Sequence, residues 1–170
     1  MKIALAVFLF SISAFGQNAS LIAACGPQET QFRVDVVAAT GQPSQPQTGP
    51  AKALVYVIED QKYKLMRDVT TRVGVDGAWV GANRGNSYLF FAVPPGEHHL
   101  CTDWTSDFVP GGRLISLTSF TAEAGQTYYF RARTSGAKDE KPAIDLDPLN
   151  TDEGKFLVAS LRLSNSKAKK

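Results

Sequence analysis

The chain is poor in the side chains that metal and nucleophilic chemistry need. It has two histidines and two cysteines among 170 residues. The histidines, His98 and His99, are adjacent, and neighbours on a strand point to opposite faces. A shared metal would therefore need help from Glu97, Asp103 or Asp107, and zinc sites of dependable type use more His and Cys than this. No Gly-x-Ser-x-Gly elbow occurs, which removes that route to a nucleophilic serine. Gly74, Gly77, Gly81 and Gly85 are not followed by Gly-Lys-Ser/Thr, so they read as turn glycines rather than a phosphate loop. Asp145 and Asp147 share a strand face, but "DLDPLNTDEG" lacks the spacing of a calcium-binding EF-hand. A formal net charge of +2 gives no basic patch of the kind that binds nucleic acid. No catalytic residue, cofactor or metal is assigned, and an enzyme is not expected.

Long apolar runs are also missing, apart from one at the start. Lys2 precedes a nearly continuous apolar stretch from Ile3 to Phe15, too short for a membrane span of ~20 residues. It has the charged start and apolar middle of a secretory signal peptide, with Ala14 and Gly16 as the small residues before the cut. Residues 1–16 are therefore expected to be a signal peptide. The mature chain is expected to be exported to the periplasm or beyond, with no transmembrane segment. Cys25 and Cys101 would then meet an oxidising compartment, where pairing is the plain expectation. Lipid attachment at Cys25 is the alternative, because "IAAC" loosely matches a lipidation box. Against it, polar Gln17, Asn18 and Ser20 interrupt the apolar run.

What is present in quantity is short alternating segments. "FRVDVVA" alternates from Phe32, and residues 17–51 read as this strand followed by a Pro/Gln-rich loop. "KALVYVIED" is a central buried strand by its β-branched content. Asp76-Gly77, between "RVGV" and "AWVG", marks a hairpin because two-residue turns need positive φ. "SYLFFAV" ends at Pro94-Pro95-Gly96, since proline cannot continue a central ladder. "EHHLCTDW", "LISLTSFTAEA", "TYYFRAR" and "AIDLDPL" follow. Asn150 or Thr151 caps a helix, with Asp152 and Glu153 in its first turn and Phe156, Leu157, Ser160 and Leu161 at helical spacing. Seven to nine short strands with one C-terminal helix predict a mainly β fold, a β-sandwich. Its core would span 52–163, with 164–170 a frayed basic tail.

The run "VGVDGAWVG…SYLFFAVPPGEHHL…FTAEAGQTYYFRAR" resembles an uncharacterised family of secreted or lipid-anchored bacterial proteins, domain-of-unknown-function family twenty-eight forty-six. Its "VDG…VG…PG.H" layout is also similar to that of PEGA surface domains. The resemblance implies a small Ig-, transthyretin- or PEGA-like sandwich outside the cytoplasm with no known activity, and it transfers no catalytic residues.

Trp79, Tyr129, Arg131 and Arg133 make the candidate interaction surface, because tyrosine, tryptophan and arginine are favoured at binding hot spots. The competing account is cross-strand pairing, with arginine stems covering apolar area. The functional expectation is a non-enzymatic exported module of the cell envelope, with an envelope protein or glycan as partner. A secreted binder of a small ligand or glycan is the alternative, and a hydrolase the third.

Overall fold

The computed structural model describes residues 24–37, 51–61, 69–105, 112–135 and 141–170. The expected signal peptide and cleavage site lie outside the described residues. Among the described residues the strands are β1 (Phe32–Val37), β2 (Ala53–Glu59), β3 (Thr70–Val75), β4 (Ala78–Arg84), β5 (Ser87–Val93), β6 (Gly96–Thr105), β7 (Arg113–Ala122), β8 (Thr127–Ser135), β9 (Ala143–Leu149) and β10 (Arg162–Ala168). The helix α1 (Thr151–Ser160) joins the last two. They form a six-stranded sheet, β1-β10-β5-β2-β8-β9, and a four-stranded sheet, β4-β3-β6-β7. The architecture is a β-sandwich.

The core lies between the inner faces. Val55 and Val57 of β2, Val73 of β3, Leu100 and Trp104 of β6, and Phe130 and Ala132 of β8 pack there with little or no exposure. Alternation puts them there, because residues two apart on a strand share a face. β2 is buried on both faces, which is why its sequence is almost uniformly apolar. Its second face carries Leu54, Tyr56 and Ile58 into an outer cluster with Tyr88 and Tyr129, closed by Leu157, Val158 and Leu161 near α1.

The turns follow their local chemistry. Asp76 and Gly77 both take positive φ (50° and 84°), as a tight hairpin requires. Pro94 and Pro95 fall where the chain leaves the larger sheet for the smaller one. Asn150 caps α1, its side-chain oxygen accepting from the Glu153 amide at 2.9 Å.

Two expectations are corrected. Residues 164–170 are not a frayed tail: Arg162–Ala168 form β10, paired antiparallel with all of β1. Its sequence, RLSNSKA, hides the strand because its inward positions are serines that hydrogen-bond instead of packing. Ser164 meets Ser87 at 2.6 Å, and Ser166 accepts from the Ala82 amide at 3.0 Å. The helix follows its apolar spacing only in part: Leu157 and Leu161 pack on the outer cluster, while Phe156 is 68% exposed and Ser160 is exposed. Gly154, buried against Tyr129, completes the contact.

A Cβ added at Gly154 would stand 2.2 Å from the Tyr129 ring. Gly154→Ala should therefore lose about 1–3 kcal/mol despite the better helix propensity of alanine. Urea unfolding measures it, and a stabilised variant would show that α1 does not seat on Tyr129.

Candidate functional site

Buried polar groups are concentrated at one end of the sandwich, where β2, β6 and β8 end and β3 and β7 begin. Opposite sides of the smaller sheet carry two separate constellations there.

On the outer side, β6 presents Cys101 and Asp103. Asp103 has no solvent exposure. Its carboxylate accepts from Arg113 through Nε at 2.9 Å and an η nitrogen at 2.6 Å, and also from Arg72. A buried carboxylate needs this, because an unpaired charge in the interior costs several kcal/mol. Donating these hydrogen bonds to Asp103 raises the pKa of Arg113 further. Arg72 donates its other η nitrogen to the carbonyls of Gln28 and Thr30, both at 2.7 Å. Its guanidinium lies 4.5 Å from the centre of the Trp79 ring, within cation–π range. Trp79 in turn donates its indole N–H to the Pro27 carbonyl at 2.7 Å.

These contacts bind the segment 24–30 across the outer face as a strap. The Cys25–Cys101 disulfide fixes its start, with a Cα separation of 5.2 Å. Gly74 is part of the fit, since a Cβ there would meet the Ala24 carbonyl oxygen at 2.9 Å. A Cys25 sulfur bonded to Cys101 has no thiol left to carry a lipid.

On the inner side, Glu59 ends β2 with no exposure. Burial pushes its carboxyl up to about 8, against the opposing effect of Gln61 and Thr71. Gln61 donates to one carboxyl oxygen at 3.1 Å, and its own side-chain oxygen accepts from the Thr134 amide and hydroxyl. Thr71 stands beside the same carboxyl without completing a hydrogen bond. In the register of the facing sheet Thr71 lies opposite Asn83 on one side and Trp104 on the other. Asn83 donates across the sandwich to the Val57 carbonyl at 3.0 Å. Glu59 Oε2, Thr71 Oγ1, Asn83 Oδ1, Thr102 Oγ1 and Trp104 Nε1 are buried with no hydrogen-bond partner. Of these, Asn83 Oδ1 can only accept and Trp104 Nε1 can only donate, while the two hydroxyls can do either. A protonated Glu59 adds one more donor and places no uncompensated charge among them.

The histidines sit at the far end and face apart. His98 is buried, with Nδ1 at 2.6 Å from an Asp76 carboxylate oxygen and Nε2 at 2.8 Å from the Pro94 carbonyl. Both partners can only accept, so both ring nitrogens carry protons and neither is free for a metal. Burial alone would lower the His98 pKa, but Asp76 and Pro94 raise it above the ordinary value. Asp76 is held below the usual carboxylate range, its burial outweighed by the His99 amide and by His98. The pair staples the β3–β4 turn to the start of β6. The His99 side chain is exposed, and the two residues meet only at Asp76, which accepts from the His99 backbone amide at 2.8 Å.

The four residues of the expected interaction surface are not together and are not open. Tyr129 is buried, stacked on Tyr56 at 5.2 Å between ring centres. Arg131 bonds to Glu153 of α1 at 2.8 Å, and Arg133 to the Asp60 carbonyl at 2.9 Å and to its carboxylate. Alternation had placed the three on one strand face, as found, but α1 and the end of β2 cover that face. Arg72, Arg113 and Glu59 were not singled out in the sequence. For Arg72 and Glu59 the signal was a charged residue inside, or ending, an otherwise buried strand; Arg113 opens the half-buried β7 and carried none.

The model of a family described as a protein of unknown function, DUF2846, matches residues 50–143. The chain belongs to this family. The DUF2846 match runs from just before β2 to the first residue of β9, so it takes in Glu59, Arg72, Asp103 and Arg113. The strap, α1 and β10 lie outside it. No curated protein and no solved structure matches the chain.

Two outcomes are expected. Reducing the disulfide, or Cys25→Ser, should cost about 4 kcal/mol by loop entropy, since the bond closes a sequence separation of 76. That should lower the melting temperature by roughly 10 °C, and an unchanged melting curve would show that the strap is not held by the bond. Glu59 should make the protein less stable as pH rises. The folded state keeps its proton from the unfolded value of 4.5 up to about 8, so stability is full below that window. It then falls by up to about 1.4 kcal/mol per pH unit across it. His98 contributes in the same direction, so Glu59→Gln is the comparison. Its urea midpoint should change clearly less than wild type between pH 5 and pH 8, and parallel curves would exclude a protonated Glu59.

Proposed function

We propose that the protein is an exported, non-enzymatic β-sandwich that acts as an interaction or structural module of the cell envelope. The observation that best supports this reading is the use made of its reactive groups. Cys101 is bonded to Cys25, His98 donates from both nitrogens, Asp103 is enclosed by two arginines and Glu59 is sealed in the core. A nucleophile, a base and an acid must each be accessible to a substrate, and these four groups are spent on the fold. Export draws support from the disulfide, which belongs to oxidising compartments, and from the composition of residues 1–16. Among the described residues no helix is long and apolar enough to cross a membrane.

A glycan binder is the weaker reading. It would turn aromatic rings to solvent, whereas Tyr56, Tyr88 and Tyr129 are buried and Trp79 lies between Arg72 and the strap.

Intact mass after cell fractionation tests the proposal. The expected species is residues 17–170 less two hydrogens, recovered outside the cytoplasm. A cytoplasmic protein that keeps residues 1–16 and free thiols would overturn it, as would a lipid-modified chain beginning at Cys25.

A further inference from the structure

A groove of about 480 Å³ runs between β1 and the β4–β5 turn, lined by Val34, Asp35 and Val36 of β1, residues 84–86 of the turn, and Arg162. Its volume falls within the range of ligand pockets, about 300–1,000 Å³. Val34 is buried and Val36 half-buried where they line it, while Arg84 and Arg162 are exposed at its rim. The charges do not cancel. Asp35 lies 3.9 Å from Arg33, its neighbour on the same face of β1, while neither Arg84 nor Arg162 has an ion-pair partner among the described residues. Asn86 is half-buried and spends its side-chain oxygen on the Gln61 amide at 2.9 Å, leaving its amide group as a further donor. β1 closes the larger sheet, so its second edge has no strand beside it among the described residues.

We propose that this groove docks an acidic segment of a partner protein, laid extended along β1. Its carboxylates meet Arg84 and Arg162, and an apolar side chain between them rests on Val34 and Val36. Edge-strand addition supplies main-chain hydrogen bonds, while alternate side chains supply selectivity. Guanidinium–carboxylate pairing, bidentate where geometry allows, favours an acidic over an amide side chain. Both arginines lie on the rim, so binding falls with salt. The inference rests on the interaction-module reading and names its site.

The test uses the full mature chain labelled for NMR and a short capped peptide alternating valine and aspartate, with its asparagine counterpart as control. The aspartate peptide should shift the amides of residues 34–36, 84–86 and 162 and approach saturation near about 1 mM, and the control should not. Arg84→Gln and Arg162→Gln should each weaken binding about tenfold, with the melting temperature unchanged because both side chains are exposed. No groove shift with the aspartate peptide, or equal binding by the double variant, overturns the groove. A photo-cross-linking residue placed at Arg84 or at Phe156 in cells separates the two readings. Adducts at Phe156 alone overturn the groove and leave the module standing. Adducts at neither position overturn both, and an adduct at Arg84 abolished by Arg162→Gln supports the groove.

Discussion

Asp103 is the constraint on which the smaller sheet depends. Its carboxylate is buried on a sheet face that would otherwise meet water, so it needs cations and a cover. Arg113 brings one cation from the neighbouring strand, and Arg72 brings the other from the strand on the opposite side. Arg72 then has an η nitrogen and a guanidinium face to spare: the nitrogen donates to the carbonyls of Gln28 and Thr30 in the cover, and the face lies over Trp79, whose indole holds Pro27. An ion triad of this type adds little net stability compared with apolar residues of the same shape. What it does supply is position. An arginine donor fork fixed by Asp103 accepts a strap in one register, whereas an apolar face would accept several.

The disulfide and the triad divide the labour between entropy and geometry. The bond limits where the strap can go in the unfolded chain, and the Arg72 hydrogen bonds decide how it lies in the folded one. Neither substitutes for the other. With the bond alone the carbonyls would lie over a buried cation in no fixed arrangement. With the triad alone the segment would have to be recruited without a covalent tether.

The alternating strands, the Asp76-Gly77 turn, the stop at Pro94-Pro95-Gly96, the Asn150 cap and the cysteine pairing were legible because each rests on local chemistry or on compartment. β10 was not, because its inward positions are Ser164 and Ser166, and a serine that bonds across a sheet corner looks the same in sequence as one in a loop. Arg131 and Arg133 were placed on the right face of β8, but what covers that face comes from Asp60 and Glu153, far away in sequence. Asp103 was visible as a charged residue alternating with Cys101, and only the fold shows that two arginines converge on it. Glu59 is the nearest miss. A carboxylate ending the all-apolar run Ala53–Ile58 is out of place on either face, and that incongruity was readable without any structure.

The placement of charge also separates what the protein uses internally from what it can offer a partner. Arg72, Arg113, Arg131 and Arg133 are all paired with carboxylates of the chain itself, so binding through them would first have to break an existing pair and leave a carboxylate without its cation. Arg84 and Arg162 carry no such cost among the described residues, and they flank the terminal strand of the larger sheet. Tyr129 and Trp79 fail as anchors for a parallel reason, since exposing either would mean lifting α1 or the strap. A surface chosen from residue type alone therefore selects the most structurally committed residues of this fold. The better criterion is a group near an open edge whose bonding capacity the chain has not already spent.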